Sequence, residues 1–336
     1  MVRPIYILGP CAAESREQII ETVSRICDLR FEISNLIFRA GIWKPRTSPQ
    51  TFQGVGEEGL KWLQEVQRTF GVPVATEVAT PEHVRMAMEA GIDYLWIGAR
   101  SSANPIVVQN LSDIIRNYPI RPKGIFIKNP VNADAGLWIG NIERLEKTGL
   151  PVMAVHRGCN HKPCWHMAHA VRLARPDIPM LLDPSHMSGD ATKVPELMKK
   201  VEELGLDGAM IEVHAHPEAA LSDAKQQIRP QELSELIRVY PNLSESIGED
   251  LELNWLRAEI DELDEQILTS IMARMDVSRR IGTWKKAHGM APLQPERFQK
   301  VLERLKGLQV TGNGLPEELI EKVWNAIHEE SLHMQS

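Results

Sequence analysis

Up to about Tyr240 the chain alternates short apolar runs with amphipathic stretches. The runs are Ile5–Leu8, Leu36–Phe38, Val74–Glu77, Tyr94–Ile97, Ile125–Lys128, Val152–Val155, Met180–Asp183 and Met210–Val213. They are apolar almost without a break, as expected for parallel strands covered on both faces. Between them, Arg16–Leu29, Pro81–Ala90, Leu137–Thr148 and Thr192–Leu204 carry apolar residues at helical spacing. About eight βα repeats in roughly 240 residues is the arithmetic of an α/β TIM (β/α)8 barrel. A doubly wound sheet is the alternative, but it has fewer strands and one dominant Gly-rich turn.

The pattern changes near Asn242. Residues 242–252 are polar, with Pro and Gly, and read as a linker between a barrel over 1–241 and a second domain over 253–336. Leu253, Leu256, Ile260, Leu263, Ile267 and Ile271 then recur at helical spacing, predicting one long helix to about Lys286. A second helix is expected from Pro295 to Leu308 and a third from Pro316 to the end. Three helices in about 85 residues leave a long first helix uncovered, so a small all-α domain that forms an intertwined homodimer is expected.

Composition narrows the partners. The 336 residues carry 38 Lys+Arg against 45 Asp+Glu, a net charge of -7. That balance argues against nucleic acid or an anionic membrane, which need a basic footprint. No apolar stretch approaches the ~20 residues of a membrane helix. The N-terminal residues read as a strand and not as a secretory signal. Four cysteines are too few for a disulfide framework and point to a reducing cytoplasm.

Against that acidic background, the residues that follow the strands stand out, because barrel chemistry sits at the C-terminal strand ends. They are Cys11; Arg39 with Lys44, Arg46, Thr47 and Ser48; Glu77; Arg100; Lys128; Arg157; His186; and Glu212 with Asp223. Cys11, His186, Glu212 and Asp223 are mixed S/N/O donors, suited to a divalent transition ion such as Mn, Fe, Co or Zn. A buried structural cysteine with unrelated surface acids is the other reading of those four. Arg39, Lys44, Arg46, Arg100, Lys128 and Arg157 would repel one another at one mouth unless phosphate or carboxylate groups neutralise them. Read singly, each is a solvated loop charge.

Taken in order, GPC at Cys11, RAGIWKPRTS, GAR, the strand-end Lys128, HRG, DPSH and IEVH…LSD resemble a DAHP synthase of the shorter type I beta form. The resemblance covers the whole barrel. It implies condensation of phosphoenolpyruvate with erythrose 4-phosphate, releasing phosphate, with no organic cofactor. It implies one divalent metal ion on Cys11, His186, Glu212 and Asp223. Arg39, Lys44, Arg100, Lys128 and Arg157 would hold phosphoenolpyruvate, and Arg46, Thr47 and Ser48 the aldose phosphate. Lys44 or Lys128 is the expected proton donor, with His186 also in the catalytic set. The sister family that uses arabinose 5-phosphate carries Asn where Lys-Pro-Arg-Thr stands here, which favours erythrose 4-phosphate.

In the tail, Arg274 and Lys285 lie eleven residues apart. They therefore face within roughly 20° of each other, about 16 Å apart along the axis, and could converge on one anion. Arg257 faces roughly 100° away from Arg274, so it does not easily serve the same site within one chain but could reach a partner's. A solvated basic stripe is the alternative. LRAEIDELDEQI…AR…IGTWK…PERF…EESLHMQ is similar to the all-helical class of chorismate mutase over most of 253–336. That resemblance implies rearrangement of chorismate to prephenate without nucleophile or cofactor. It implies chorismate or prephenate binding by Arg257 of the partner subunit with Arg274, Lys285, Arg297, Ser331 and Gln335. Lys285 and Gln335 would bracket the ether oxygen. Phe298 stands where this class carries Glu for the substrate hydroxyl, which leaves open a tail that only binds effector and dimerises.

Two other patterns compete for attention. Gly54-x-Gly56-x-x-Gly59 follows no strand and places Glu57 and Glu58 where a phosphate would sit, so it reads as a turn and helix start. RGCNHKPCWH gathers Cys159, His161, Cys164 and His166 at no recognised zinc spacing, and reads as a loop. A barrel metallohydrolase using the Cys/His/Glu/Asp set is the remaining alternative, but it leaves the cations unexplained. The fusion itself suggests feedback, with prephenate or chorismate in the tail inhibiting the barrel.

Overall fold

The computed structural model describes residues 4–29, 36–44, 48, 50–238, 250–307 and 314–335. Among them, eight parallel strands close a barrel in sequence order: β1 (Ile5–Gly9), β2 (Leu36–Arg39), β3 (Val74–Val78), β4 (Tyr94–Ile97), β5 (Gly124–Lys128), β6 (Val152–His156), β7 (Met180–Leu182) and β8 (Gly208–Glu212). Ile7 pairs with Ile37 on one side and Met210 on the other, closing the ring. The strands lie within about two residues of their expected bounds. β7 stops one residue early because Asp183 turns out of the sheet to cap the short helix Pro184–Ser188.

The strand pleat decides which side chains reach the mouth. Ile7, Ile37, Ala75, Trp96, Phe126, Val155, Leu181 and Met210 fill the barrel interior as one apolar cluster. Side chains two positions along a strand share a face. The next inward positions, at or just past the strand ends, are therefore Arg39, Glu77, Lys128, Arg157, Asp183 and Glu212. The intervening apolar residues, such as Leu8, Phe38, Ile97, Ile127 and Ile211, pack outward against the helices.

The chain divides into two compact units, Met1–Glu259 and Ile260–Ser336. This packing boundary falls inside the helix Leu251–Ala287, not in the polar stretch before it. The reason is local to the first unit. Trp255 is buried, stacks on His169 at 5.4 Å and meets Trp165 edge-on, and Glu259 bonds His169 Nδ1 at 2.5 Å.

The second unit holds the rest of that helix with Pro295–Gly307 and Glu317–His333. From Ile260, apolar residues recur at Leu263, Ile267, Val277, Ile281 and Trp284, and each is exposed. Gly282 is an exception to the bulky stripe, since a Cβ there would lie 2.6 Å from the Cα of Gln335. Its absence lets the C-terminal residues pack against the helix. No helix among the described residues is long and apolar enough to cross a membrane.

Candidate active site

At the C-terminal end of the barrel, Cys11, His186, Glu212 and Asp223 present one ligand atom each, all within 4.8 Å of one another. Cys11 Sγ lies 2.9 Å from Asp223 Oδ2, and His186 Nε2 lies 3.5 Å from Glu212 Oε1. Three of the four are held from behind. Gln227 Oε1 accepts from Cys11 N at 3.0 Å, and Gln226 donates to Glu212 Oε2 at 2.7 Å. Asp183 accepts from His186 N at 3.0 Å and approaches its Nδ1 at 2.9 Å. That contact fixes the ring so that Nε2 faces the cluster, the usual role of a carboxylate behind a ligating histidine.

The electrostatics fit a cation at this point. Burial and the neighbouring Glu212 push the Cys11 thiol up to about 12. A thiolate and two carboxylates drawn this close would repel one another, and a divalent ion among them would reverse that sign. Thiolate, imidazole and carboxylate together fit a transition ion better than Mg or Ca.

Beside the cluster opens a cavity of about 410 Å³, lined among others by Arg39, Lys44, Arg100, Lys128, Arg157 and His186. Arg39 is 1% exposed; it bonds Glu212 at 3.1 Å and lies over the Trp96 ring at 4.7 Å. Its Nε and Nη1 are buried with no partner among the described residues. Unpaired guanidinium donors in a closed site are matched to an anionic guest, because leaving them bare is costly. Lys44 Nζ reaches Cys11 O at 3.0 Å and Sγ at 3.1 Å. Burial disfavours its charge, but Cys11, Glu77 and Glu212 outweigh burial and raise its pKa. Lys128 differs. Burial lowers its pKa even though Asp183 pairs with it at 2.6 Å. The same pairing, with His186, holds Asp183 well below the usual carboxylate range against burial.

The five cations expected to hold phosphoenolpyruvate all line this cavity. Arg46 and Thr47 lie outside the described residues; Ser48 is described and exposed. The sequence places Asp183 at the end of a strand run and within DPSH without a role of its own, although it links Lys128 to His186. The signal was present: Asp183 follows the inward Leu181 by two. The decoy glycines prove to be packing features. Gly54 has φ 93, and a Cβ there would strike Ile42 O at 2.2 Å.

In the second unit, Arg274 Nη1 donates to Ser331 Oγ and lies 3.4 Å from Ile327 O. Lys285 Nζ donates to Gln335 Oε1 at 3.0 Å and to Pro292 O at 2.5 Å. These contacts join four of the six residues named for the tail, across 57 and 50 positions in sequence. Arg297 is exposed and joins neither pair, and Arg257, which belongs to the first unit, is exposed there. Phe298 stacks on His328 at 3.8 Å.

Comparison with known proteins agrees with both halves. The DAHP synthetase I family model matches residues 2–249, and chorismate mutase type II matches 256–336. A phospho-2-dehydro-3-deoxyheptonate aldolase of Thermotoga maritima is 30% identical over 72% of this chain and 70% of its own length. The crystal structure of a DAHP synthase from that organism superposes with a TM-score of 0.62 at 29% identity, covering 73% of this chain and 70% of that one. A 2-dehydro-3-deoxyphosphooctonate aldolase of Desulfatibacillum aliphaticivorans is 26% identical over 69% of this chain and 89% of its own. With a closed barrel, a donor cluster at its mouth and a match over residues 2–249, the chain belongs to the DAHP synthetase I family, followed in sequence by a chorismate mutase type II region.

Proposed function

We propose that the chain is a bifunctional shikimate-pathway enzyme whose barrel condenses phosphoenolpyruvate with erythrose 4-phosphate, and whose tail converts chorismate to prephenate. The observation that carries the first half is the juxtaposition of the four donors with a cavity lined by five cations. Cys11, His186, Glu212 and Asp223 would hold one divalent ion, Mn, Fe, Co or Zn, which when bound supplies Lewis-acid polarisation of the aldehyde oxygen.

The chain's own residues do the rest. Arg39, Lys44, Arg100, Lys128 and Arg157 bind the phosphate and carboxylate of phosphoenolpyruvate and hold its reactive carbon toward the acceptor. Arg46, Thr47 and Ser48 take the phosphate of the aldose. Lys128 is the better placed proton donor. It is buried, burial lowers its pKa, and Asp183 orients its ammonium group. Lys44, whose pKa is raised, serves as a fixed positive charge.

In the tail, Arg274 with Ser331 and Lys285 with Gln335 supply donors for a dicarboxylate and its ether oxygen, a task of positioning and electrostatics. The exposed apolar stripe from Ile260 to Trp284 supports a homodimer, in which Arg257 of the second copy completes the site. Four free thiols favour a reducing cytoplasm. Prephenate bound in the tail is the proposed feedback inhibitor of the barrel. The two activities are tested together by phosphate release from phosphoenolpyruvate plus erythrose 4-phosphate and by chorismate consumption, each with and without EDTA. Phosphate release that EDTA abolishes, beside chorismate turnover that EDTA spares, supports the reading. Failure of the condensation with every divalent ion tried overturns it.

A further inference from the structure

The loop after β6 has a shape that neither the metal cluster nor the five cations account for. Cys159 N donates to Lys162 O at 2.8 Å, and Lys162 N donates back to Cys159 O at 3.0 Å. This is a two-residue hairpin with Asn160 and His161 at its tip. Their φ values are 51 and 59, so both tip residues are left-handed. That is the geometry of a type I′ turn, which strongly prefers Asn-Gly. Asn suits the first position, but His at the second carries a Cβ penalty that Gly would avoid.

Everything around the tip is anchored. Asn129 accepts from Arg157 N at 2.7 Å and donates to Gly158 O at 3.0 Å. His156 Nε2 meets Pro163 O at 2.6 Å on the returning arm, and Cys159 is buried. The imidazole of His161 lies on Gly189, where a Cβ would come within 2.7 Å of its Nδ1. Gly189 ends the helix that carries His186. The tip side chains themselves are exposed and line the cavity, and neither makes a hydrogen bond among the described residues. A rigid arm that holds two uncommitted donors over a cationic cavity, at some cost in backbone strain, is built for a ligand and not for a turn.

We propose that Asn160 and His161 bind the phosphate ester of the three-carbon substrate, on the side of the cavity where Arg157 stands. Arg157 lies three residues before the tip, on the same loop, and Arg100 lines the same cavity. An amide and an imidazole donor there complement the guanidinium groups around a phosphate dianion. This assignment rests on the proposed condensation.

The test uses the full-length, metal-loaded enzyme. His161→Gly restores the preferred Asn-Gly turn, so the variant folds and its Tm is at or above the wild-type value. A purely structural His161 would leave KM unchanged. Loss of a hydrogen bond to a charged group instead raises KM for phosphoenolpyruvate about tenfold. KM for erythrose 4-phosphate stays within about twofold, and His161→Asn, which keeps both the left-handed geometry and a donor, recovers part of the loss. An unchanged KM for phosphoenolpyruvate in His161→Gly, or a rise confined to the aldose phosphate, overturns the assignment while the proposed condensation stands. If the wild type does not condense the pair, that reading fails separately. Calorimetric titration with phosphoenolpyruvate then decides: weaker binding by His161→Gly supports the assignment, and equal binding overturns it.

Discussion

At the barrel mouth, Lys128 is buried between Asp183 and His186, and every residue that fixes it comes from the same compact unit. In the tail, Lys285 and Arg274 also bond side chains of their own unit, Gln335 and Ser331, but the helix that carries them is apolar and bare beside them. Ile267 is 57% exposed and Met272 63%. At the mouth, buried charges are mostly paired around a shaped cavity, with two Arg39 donors left over. In the tail, Arg274 and Lys285 are paired on a helix whose apolar stripe is exposed among the described residues. The difference follows from architecture. A barrel supplies eight strand ends that converge on one point. Three helices supply one face, and a second copy is the simplest way to cover it.

The sharpest way to separate the two regions is to remove one ligand. Cys11→Ala leaves three donors and should lower phosphate release by about 10³-fold or more, the scale of several kcal/mol of lost charge stabilisation. Chorismate consumption should stay at the wild-type rate. Parallel loss of both reactions would mean that the two regions are not chemically independent.

Charging the bare helix should produce the converse. Ile267→Lys places an ammonium group in the exposed apolar stripe. Sedimentation should show smaller particles, and the mutase rate should fall by about 10²-fold, the effect of losing one preorganised donor from a closed site. A variant that keeps both its mass and its mutase rate would show that the stripe is covered in some other way. A several-fold effect is expected from feedback, within the usual range of coupling between sites. Prephenate should inhibit phosphate release in the wild type and no longer do so in Arg274→Ala. Inhibition that survives in the variant would place the effector elsewhere.

How much of this was legible in sequence differs between the regions for the same reason. The barrel strands announced themselves as apolar runs, and the period-two pleat places Arg39, Glu77, Lys128 and Glu212 on the inward face with no further information. Asp183 sits on that face too, yet it was read as the last residue of a strand. Its role depends on Lys128 and His186, 55 residues before it and three after. In the tail, helical spacing predicted the long helix but not its division. Trp255 looks like any other apolar position until His169 and Trp165 are seen packed on it, and this moves the packing boundary to Glu259. The pairing of Lys285 with Gln335 lies beyond local periodicity, and only family resemblance brought the two together. His161 was set aside with the Cys/His cluster because its spacing matches no metal template, and its tip geometry is not written in spacing.

Acid separates the two regions more gently. His156 is buried beside the mouth, and Nε2 donates to Pro163 O. Burial is the main cause that drives its pKa from the ordinary 6.5 to about 3, with Arg157 and His166 adding to it. In the unfolded chain this imidazole takes up a proton near its ordinary value. Between those two pKa values the unfolded state therefore binds more protons than the folded one. His156 thus contributes stability that is fully present above about pH 6.5 and is lost as pH falls toward about 3, at up to about 1.4 kcal/mol per pH unit. His328 in the tail is also lowered, by burial first, but it is far less enclosed and should contribute a smaller slope. His156→Gln keeps a donor for Pro163 and removes the titration. Urea unfolding of the full chain between about pH 6 and pH 4 should then show a shallower loss of stability in the variant, by close to one proton. Asp183 and Glu212, whose pKa values are held down, add their own loss at lower pH in both proteins and cancel in the comparison. Equal slopes would mean that His156 is hydrated or free to move in the folded barrel, and the contrast between a closed mouth and an open tail would lose its electrostatic half.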